Sequence, residues 1–389
     1  IGWKQRGEIT QEEFRRIENL AEPGPGSCAM MGTANTMGCM AEAMGMMLPG
    51  FATIPAVSAK RMAAGQATGR AILALARQKI MARKLITQKS LENAIIVLMS
   101  IGGSTNAIMH LQAIHREAGL GDLSLETFDV FSRRVPQVAS VYPASPHDMV
   151  DFDEAGGVPA VMKELEGLLH LDCLTAEGGQ LGDLLQATGT SPRREVIRDR
   201  QNPFSHTGGV AVLKGNLAPL GAVVKPAAVP PALWRFSGKA QVFDSEQEAC
   251  HAILEGQVAP GTAIILRYEG PKGGPGMPEM YRPMKCLEGM NLSDTCAILT
   301  DGRFSGSNRG LFVGHISPEA YEGGALALVK DGDPIMVDIE KRRVHLDVPD
   351  DLLEQRLAHW ERPCKDIPAG YLRTYQKISK SAAEGAVVE

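Results

Sequence analysis

Several short stretches carry residue types that can do chemistry. Cys28 sits in a Gly-Ser-Cys turn, within "GPGSCAMMGTANTM", just before a stretch that reads as a helix. Backbone amides at a helix start favour a thiolate, the form of cysteine that attacks carbon or binds metal. The plain alternative is a buried, inert cysteine. In "GGSTN", Ser104, Thr105 and Asn106 precede another helical run. Their hydroxyls, amide and free backbone N–H groups suit an anion such as a substrate carboxylate, or one of them simply caps the helix. "YEGPKGGPGMPEM" (Tyr268–Met280) is dense enough in glycine to let backbone approach a ligand closely. It delivers Glu279, a carboxylate suited to a hard cation such as Mg²⁺, or else it is a long surface turn. It lacks the Gly-Lys-Ser/Thr of a phosphate loop. "AILTDGRFSGSNRG" (Ala297–Gly310) runs from a strand into a polar loop holding Ser305 and Ser307. Ser305 is not in a Gly-x-Ser-x-Gly elbow, and no histidine lies in a suggestive motif, which weakens a hydrolase reading. Ser305 is then a turn residue or a base activated by something else. His110 and His115 are five apart and form no zinc motif, so no metal is assigned to them.

The elements that must position these groups fall into two kinds. Thr10 and Glu13 have capping-box spacing ahead of Phe14, Ile17, Leu20 and Ala21, and the Pro-Gly run 23–26 should stop that helix. Helices are expected over Thr33–Met47, with Met37, Met40, Met44 and Met47 on one face as core, over Ser58–Lys84, from a Ser90 cap, after "GGSTN", and around the Gly-Gly of "DEAGGVPAVMKEL". Cys39 falls mid-helix and reads as core. The character changes near residues 189–204. Short β-rich runs follow: "GVAVLKG", "GAVVKPA", "AQVFD", "GTAIILRYEG", "CAILTDG" and a hairpin in "PIMVDIEKRRVHLDV", with one helix at Ser245–Leu254. The expected fold class is therefore two-domain α/β. A mostly helical domain spans residues 1–195, and a β-rich, barrel-like domain spans 196–389 and carries Glu279 and Ser305.

Bulk properties exclude some classes. The chain has 389 residues, 44% hydrophobic and 22% charged, as in ordinary globular proteins. Its net charge of −5 argues against a general nucleic-acid binder. The longest uncharged run, between Glu42 and Lys60, is broken by Gly45, Pro49, Gly50 and Pro55 and does not suit a membrane span. Seven cysteines without a Cys-x-x-Cys point to a reducing, cytoplasmic setting. The first residues are polar, with no apolar signal region and no initiator Met, which reads as a processed or partial product.

Taken together, "GSCAMMGTANTM", "EAMGMMLPG", "SIGGSTNAIMHLQAI", "EAGGVPAVMKEL", "GGVAVLKGNLAPLGAVVK", "EGPKGGPGMPEM" and "LTDGRFSGSNRGLFVGHISPEA" resemble the dihydroxy-acid and sugar-acid dehydratases. The resembling blocks span almost the whole chain in family order. The resemblance implies a hydro-lyase that removes water from a 2,3-dihydroxy acid to give a 2-keto acid. It implies an Fe–S cluster (2Fe-2S or 4Fe-4S) held by three cysteines, with Cys28 as one ligand, and Mg²⁺ with Glu279 as one ligand. Ser305 would be the base at C2 and Ser307 a neighbour of the substrate, with Thr105 and Asn106 as further substrate contacts. A homodimer is also implied. The "GRFSG" and "GHISPEA" forms lean toward the branched-chain dihydroxy-acid dehydratases.

This sequence departs from the family pattern at its start. The family's other two cluster cysteines, and further Mg²⁺ ligands, lie in a stretch ahead of the region matching Ile1. The other six cysteines here do not stand in for them. On this reading the cluster is not fully assembled on this chain alone. The alternatives are a sugar-acid (aldonate) dehydratase, or an inactive fragment that binds a sugar acid or a partner subunit.

Overall fold

The computed structural model describes residues 2–21, 25–307 and 309–388. The chain divides into two units, one of residues Glu22–Val210 and one of Ile1–Ala21 with Ala211–Glu389. It is an α/β chain in two units, one of which holds a closed β-barrel. Residues 196–210 group with the helical unit, and the first 21 residues group with the barrel. No helix among the described residues is long and apolar enough to cross a membrane.

The helical unit is organised around helix Gln88–Ile101, whose sequence is apolar on nearly every side and is buried accordingly. It packs against helices Thr33–Ala43, Asn106–Glu117, Leu125–Arg134 and Gly157–Glu164. Its start differs from expectation. Thr87 is the cap, and Ser90 sits three residues on as the reciprocal partner of a capping box. Gly102 ends it in the left-handed conformation at φ 56°. The methionine-rich helix is also shorter than expected, Thr33–Ala43 rather than Thr33–Met47, because Gly45 turns the chain at φ +76°. Met40 and Met44 are core, whereas Met37 and Met47 are half-buried. Cys39 is fully buried as expected. The long helix Ala59–Arg77 ends before Lys84, since Lys79 takes φ 55° and a short helix, Ala82–Leu85, follows.

The barrel contains β1 (Ala211–Gly215), β2 (Ala218–Val224), β3 (Arg235–Phe243), β4 (Thr262–Leu266), β5 (Ala297–Thr300), β6 (Leu311–Ser317), β7 (Pro334–Asp338) and β8 (Arg343–Leu346). It closes in the order β1-β2-β6-β5-β4-β3-β7-β8. The neighbours β3, β4, β5 and β6 run parallel; helices Glu246–Leu254 and Tyr281–Gly289 provide the crossovers from β3 to β4 and from β4 to β5, and a loop with no helix among its described residues joins β5 to β6. Alternation sorts the side chains. Leu213, Ile265, Leu299, Val313 and Val344 fill one core, while Ile264, Leu266, Ile298 and Phe312 join the two helices in a second. The sequence reading missed β6 because "LFVGHIS" is buried along its whole length and lacks the two-residue alternation of a half-exposed strand. It also missed helix Tyr281–Gly289, which opens without a side-chain cap. The β7–β8 hairpin forms as expected.

Within this unit, helix Gln11–Leu20 has its Thr10/Glu13 capping box in place. None of its residues is buried: of the expected apolar face, Phe14 is half-buried and Ile17 and Leu20 are exposed. The expected stop at Pro23 and Gly24, and Asn308 of the serine loop, lie outside the described residues.

Candidate functional site

In the barrel unit, two loops at strand ends are tied to each other. The glycine-rich loop follows β4, and the serine loop joins β5 to β6. Two carboxylates missed in the sequence hold them. Asp301, fully buried, accepts backbone N–H bonds from Tyr268 (3.2 Å), Glu269 (2.9 Å) and Ala320 (2.8 Å). Glu319 accepts from Lys272 (3.0 Å) and Gly273 (2.8 Å). Burial raises both pKa values, Glu319 to about 7, against the opposing pull of these N–H donors. A signal did exist, since Asp301 and Glu319 flank the serine loop and β6 in sequence.

Glu279 is thereby brought alongside Arg303, two residues before Ser305. Its backbone forms an isolated parallel bridge with Arg303, the Met280 N–H donates to the Arg303 carbonyl at 2.7 Å, and the Arg303 guanidinium returns to the Met277 carbonyl. Glu279 is half-buried. Two residues on, Ser305 is half-buried and Ser307 buried, and the Ser307 hydroxyl donates to Ser305 Oγ at 3.3 Å. Phe304 anchors the loop against Phe312, with ring centroids 5.4 Å apart. Lys225, just beyond β2, was also overlooked. It is 2% exposed, and its Nζ donates to the Gly306 carbonyl at 3.1 Å. Burial pushes its ammonium down to about 7. The clue was a lone lysine in the apolar run "GAVVKPAAV".

In the helical unit, Cys28 is half-buried, and a buried asparagine holds its turn. Asn35 Nδ2 donates to the carbonyls of Cys28 and Met30, both at 2.8 Å, and its Oδ1 accepts from the Ser27 hydroxyl at 2.7 Å. The helix that follows starts at Thr33 behind Gly32, which provides no side-chain cap. A Cβ on Gly32 would sit 3.8 Å from Cys28 Sγ, so the thiol lies beside this helix start. The N-terminal ends of helices Thr33–Ala43 and Asn106–Glu117 are knit together there. Asn106 Nδ2 donates to Thr33 Oγ1 (3.0 Å), Thr33 and Ser104 share a hydroxyl bond (2.9 Å), and the Ser104 N–H donates to Thr36 Oγ1 (3.0 Å). Thr105 and Asn106 are buried, and the Thr105 side chain makes no capping bond.

The fit to an Fe–S cluster and Mg²⁺ can be judged from the donors. All seven cysteines are free thiols, and Cys39, Cys250, Cys286 and Cys296 are buried. Among the described residues, no three of His, Cys, Asp and Glu stand together to hold a metal ion. Cys28 and Glu279 each offer one donor, so these residues do not make up a complete site for either group.

Comparison with known proteins agrees with the motif reading. Residues 1–184 match "Dihydroxy-acid/6-phosphogluconate dehydratase N-terminal", and residues 195–386 match "Dihydroxy-acid/6-phosphogluconate dehydratase C-terminal". The chain is 50% identical over 380 residues to a protein of Ignicoccus hospitalis named dihydroxy-acid dehydratase, covering 97% of this chain and 68% of that protein. It is 47% identical to a protein of the same name from Moorella thermoacetica, and 47% identical to dihydroxy-acid dehydratase 1 of Methanosarcina acetivorans, in both cases over 100% of this chain and 70% of the relative. With both domain families matched in order, the chain belongs to the dihydroxy-acid/6-phosphogluconate dehydratase family and is a dehydratase, a carbon–oxygen lyase.

Proposed function

We propose that the protein eliminates water from a branched-chain 2,3-dihydroxy acid to give the 2-keto acid, with Ser305 as the base at C2. The observation that carries this reading is the backbone tie between Glu279 and Arg303, two residues before Ser305, whose Oγ accepts from the Ser307 hydroxyl. Once its own proton is gone, Ser305 Oγ takes the C2 proton. The C2–H electrons form the C2=C3 bond, and the C3–O bond breaks. Hydroxide leaves and takes the proton that Ser305 Oγ has just accepted, giving water and restoring the alkoxide, and the enol tautomerises to the keto acid. Ser307 supports this step by donating a hydrogen bond to Ser305 Oγ, which favours the alkoxide.

Support for the substrate comes from the relatives named dihydroxy-acid dehydratase. In this reading Cys28 is one ligand of an Fe–S cluster and Glu279 one ligand of Mg²⁺. Thr105 and Asn106 are proposed substrate contacts beside the Cys28 turn. The helical residues 1–195 are proposed as part of a larger N-terminal α/β domain, and residues 196–389 as the domain that delivers the base. A cytoplasmic homodimer is proposed on the same footing.

The test uses the full-length protein, loaded with iron, sulfide and Mg²⁺, on branched-chain 2,3-dihydroxy acids and aldonates. The branched acids should yield 2-keto acid, and Ser305→Ala should cut turnover by at least about 100-fold, in the range for removing a general base, without lowering the melting temperature. Turnover of aldonates alone would move the substrate assignment. Full activity in Ser305→Ala would remove the serine from its role.

A further inference from the structure

Lys225 is costly where it lies. It is 2% exposed, and among the described residues its ammonium has one hydrogen-bond partner and no neighbouring charge that offsets its burial. A methionine would fill the same space without taking a charge out of water. The single partner is the carbonyl of Gly306, the residue between Ser305 and Ser307. Topology brings them together. β2 runs antiparallel to β6, so the end of β2, where Lys225 stands, meets the start of β6, where the serine loop ends. The segment after Lys225 reinforces this contact, since the Gly310 N–H donates to the Ala228 carbonyl at 3.0 Å. The serine loop is thus gripped from beneath at two points by the same stretch of chain.

We propose that Lys225 is a positioning residue for Ser305: its buried Nζ fixes the Gly306 peptide, and so the Ser305–Ser307 hydroxyl pair, and in its ammonium form it lends positive charge that favours the Ser305 alkoxide. This rests on Ser305 being the base. A neutral serine is a poor base, and a cation held nearby in a low-dielectric setting lowers the free energy of its alkoxide. Lys225 acts through the loop and does not touch substrate.

The experiment compares full-length, cofactor-loaded wild type with Lys225→Met, Lys225→Gln and Ser305→Ala, using substrate with hydrogen or deuterium at C2. Lys225→Met should lower kcat about 10- to 100-fold, leave KM within about threefold and enlarge the C2 deuterium isotope effect, as general-base efficiency falls. Its melting temperature should hold or rise, because an unpaired buried charge is gone. Lys225→Gln, which keeps a donor without the charge, should fall between. The inference is overturned if Lys225→Met keeps wild-type kcat and isotope effect while Ser305→Ala is inactive. It is equally overturned if the Lys225 variants lose stability, or fail to fold, with kcat and KM degrading together, since the lysine is then merely structural. An active Ser305→Ala would instead refute the base assignment itself.

Discussion

Single buried carboxylates show how strongly position governs charge in this protein. Glu42 lies on the helix Thr33–Ala43, 6% exposed, and its carboxylate accepts the N–H groups of Gly50 (2.6 Å) and Ala52 (2.9 Å). Burial raises its pKa from 4.5 to about 7, with those N–H bonds pulling the other way. The folded state therefore holds this proton more tightly than the unfolded chain does. The stabilisation is complete below pH 4.5 and is lost as pH rises through about 7. Its size is roughly 3 kcal/mol at 1.36 kcal/mol per pH unit. Glu42→Gln should consequently gain stability relative to wild type as pH goes from 5 to 8, read from urea midpoints. Parallel curves across that range would show that Glu42 ionises normally. Asn35 makes a related point. Its three hydrogen bonds shape the Cys28 turn, but in the sequence it is one polar letter inside a methionine-rich helix.

At the scale of elements, the barrel closes through a narrow seam. β1 and β8 run parallel with Lys214 opposite Arg343, and the Lys214 N–H donates to the Arg342 carbonyl at 3.0 Å. Gly215 makes this approach possible, because a Cβ there would fall 1.7 Å from the Val344 carbonyl oxygen. That contact is with backbone, so no side-chain rotation relieves it. Gly215→Ala should destabilise the protein by roughly 2–3 kcal/mol. Gly332→Ala, at a site with nothing within 4 Å of the added carbon but φ +86°, should cost only about 1 kcal/mol. Equal losses in urea denaturation would mean that the seam has no special tightness.

For the whole molecule, thiol accessibility reads out the burial pattern. Cys364 is exposed, Cys28 and Cys173 are half-buried, and Cys39, Cys250, Cys286 and Cys296 are buried. Burial raises the pKa of Cys39 strongly and that of Cys173 to about 11, which removes thiolate at neutral pH. A native thiol titration of the isolated chain should therefore show Cys364 reacting first. Cys39 should react only on unfolding, and all seven should be available in denaturant. Peptide mapping of the labelled sites checks the order, and fast labelling of Cys39 would contradict the packing described.

Much of this protein was legible in its sequence, for reasons that are local. The Thr10 capping box, the β7–β8 hairpin and the glycine turn before Asn106 depend on neighbours within a few residues, and they formed as read. The seven motif blocks, taken together in their order along the chain, were enough to name the family. Other features depend on groups distant in the chain. Ser90 became a capping partner because Thr87 took the cap, and β6 vanished into a continuous apolar run because both its faces are covered. Asp301 and Glu319 gained their role only when the backbone of the glycine-rich loop came within reach, 32 to 47 residues away in the chain. Lys225 lies 81 residues from Gly306 and meets it only because β2 and β6 are neighbours in the closed barrel. Local sequence thus determined which chemistry the chain carries. Tertiary structure decided which charges are taken out of water and which peptide they hold, because burial and long-range pairing are properties of the folded barrel rather than of any one segment.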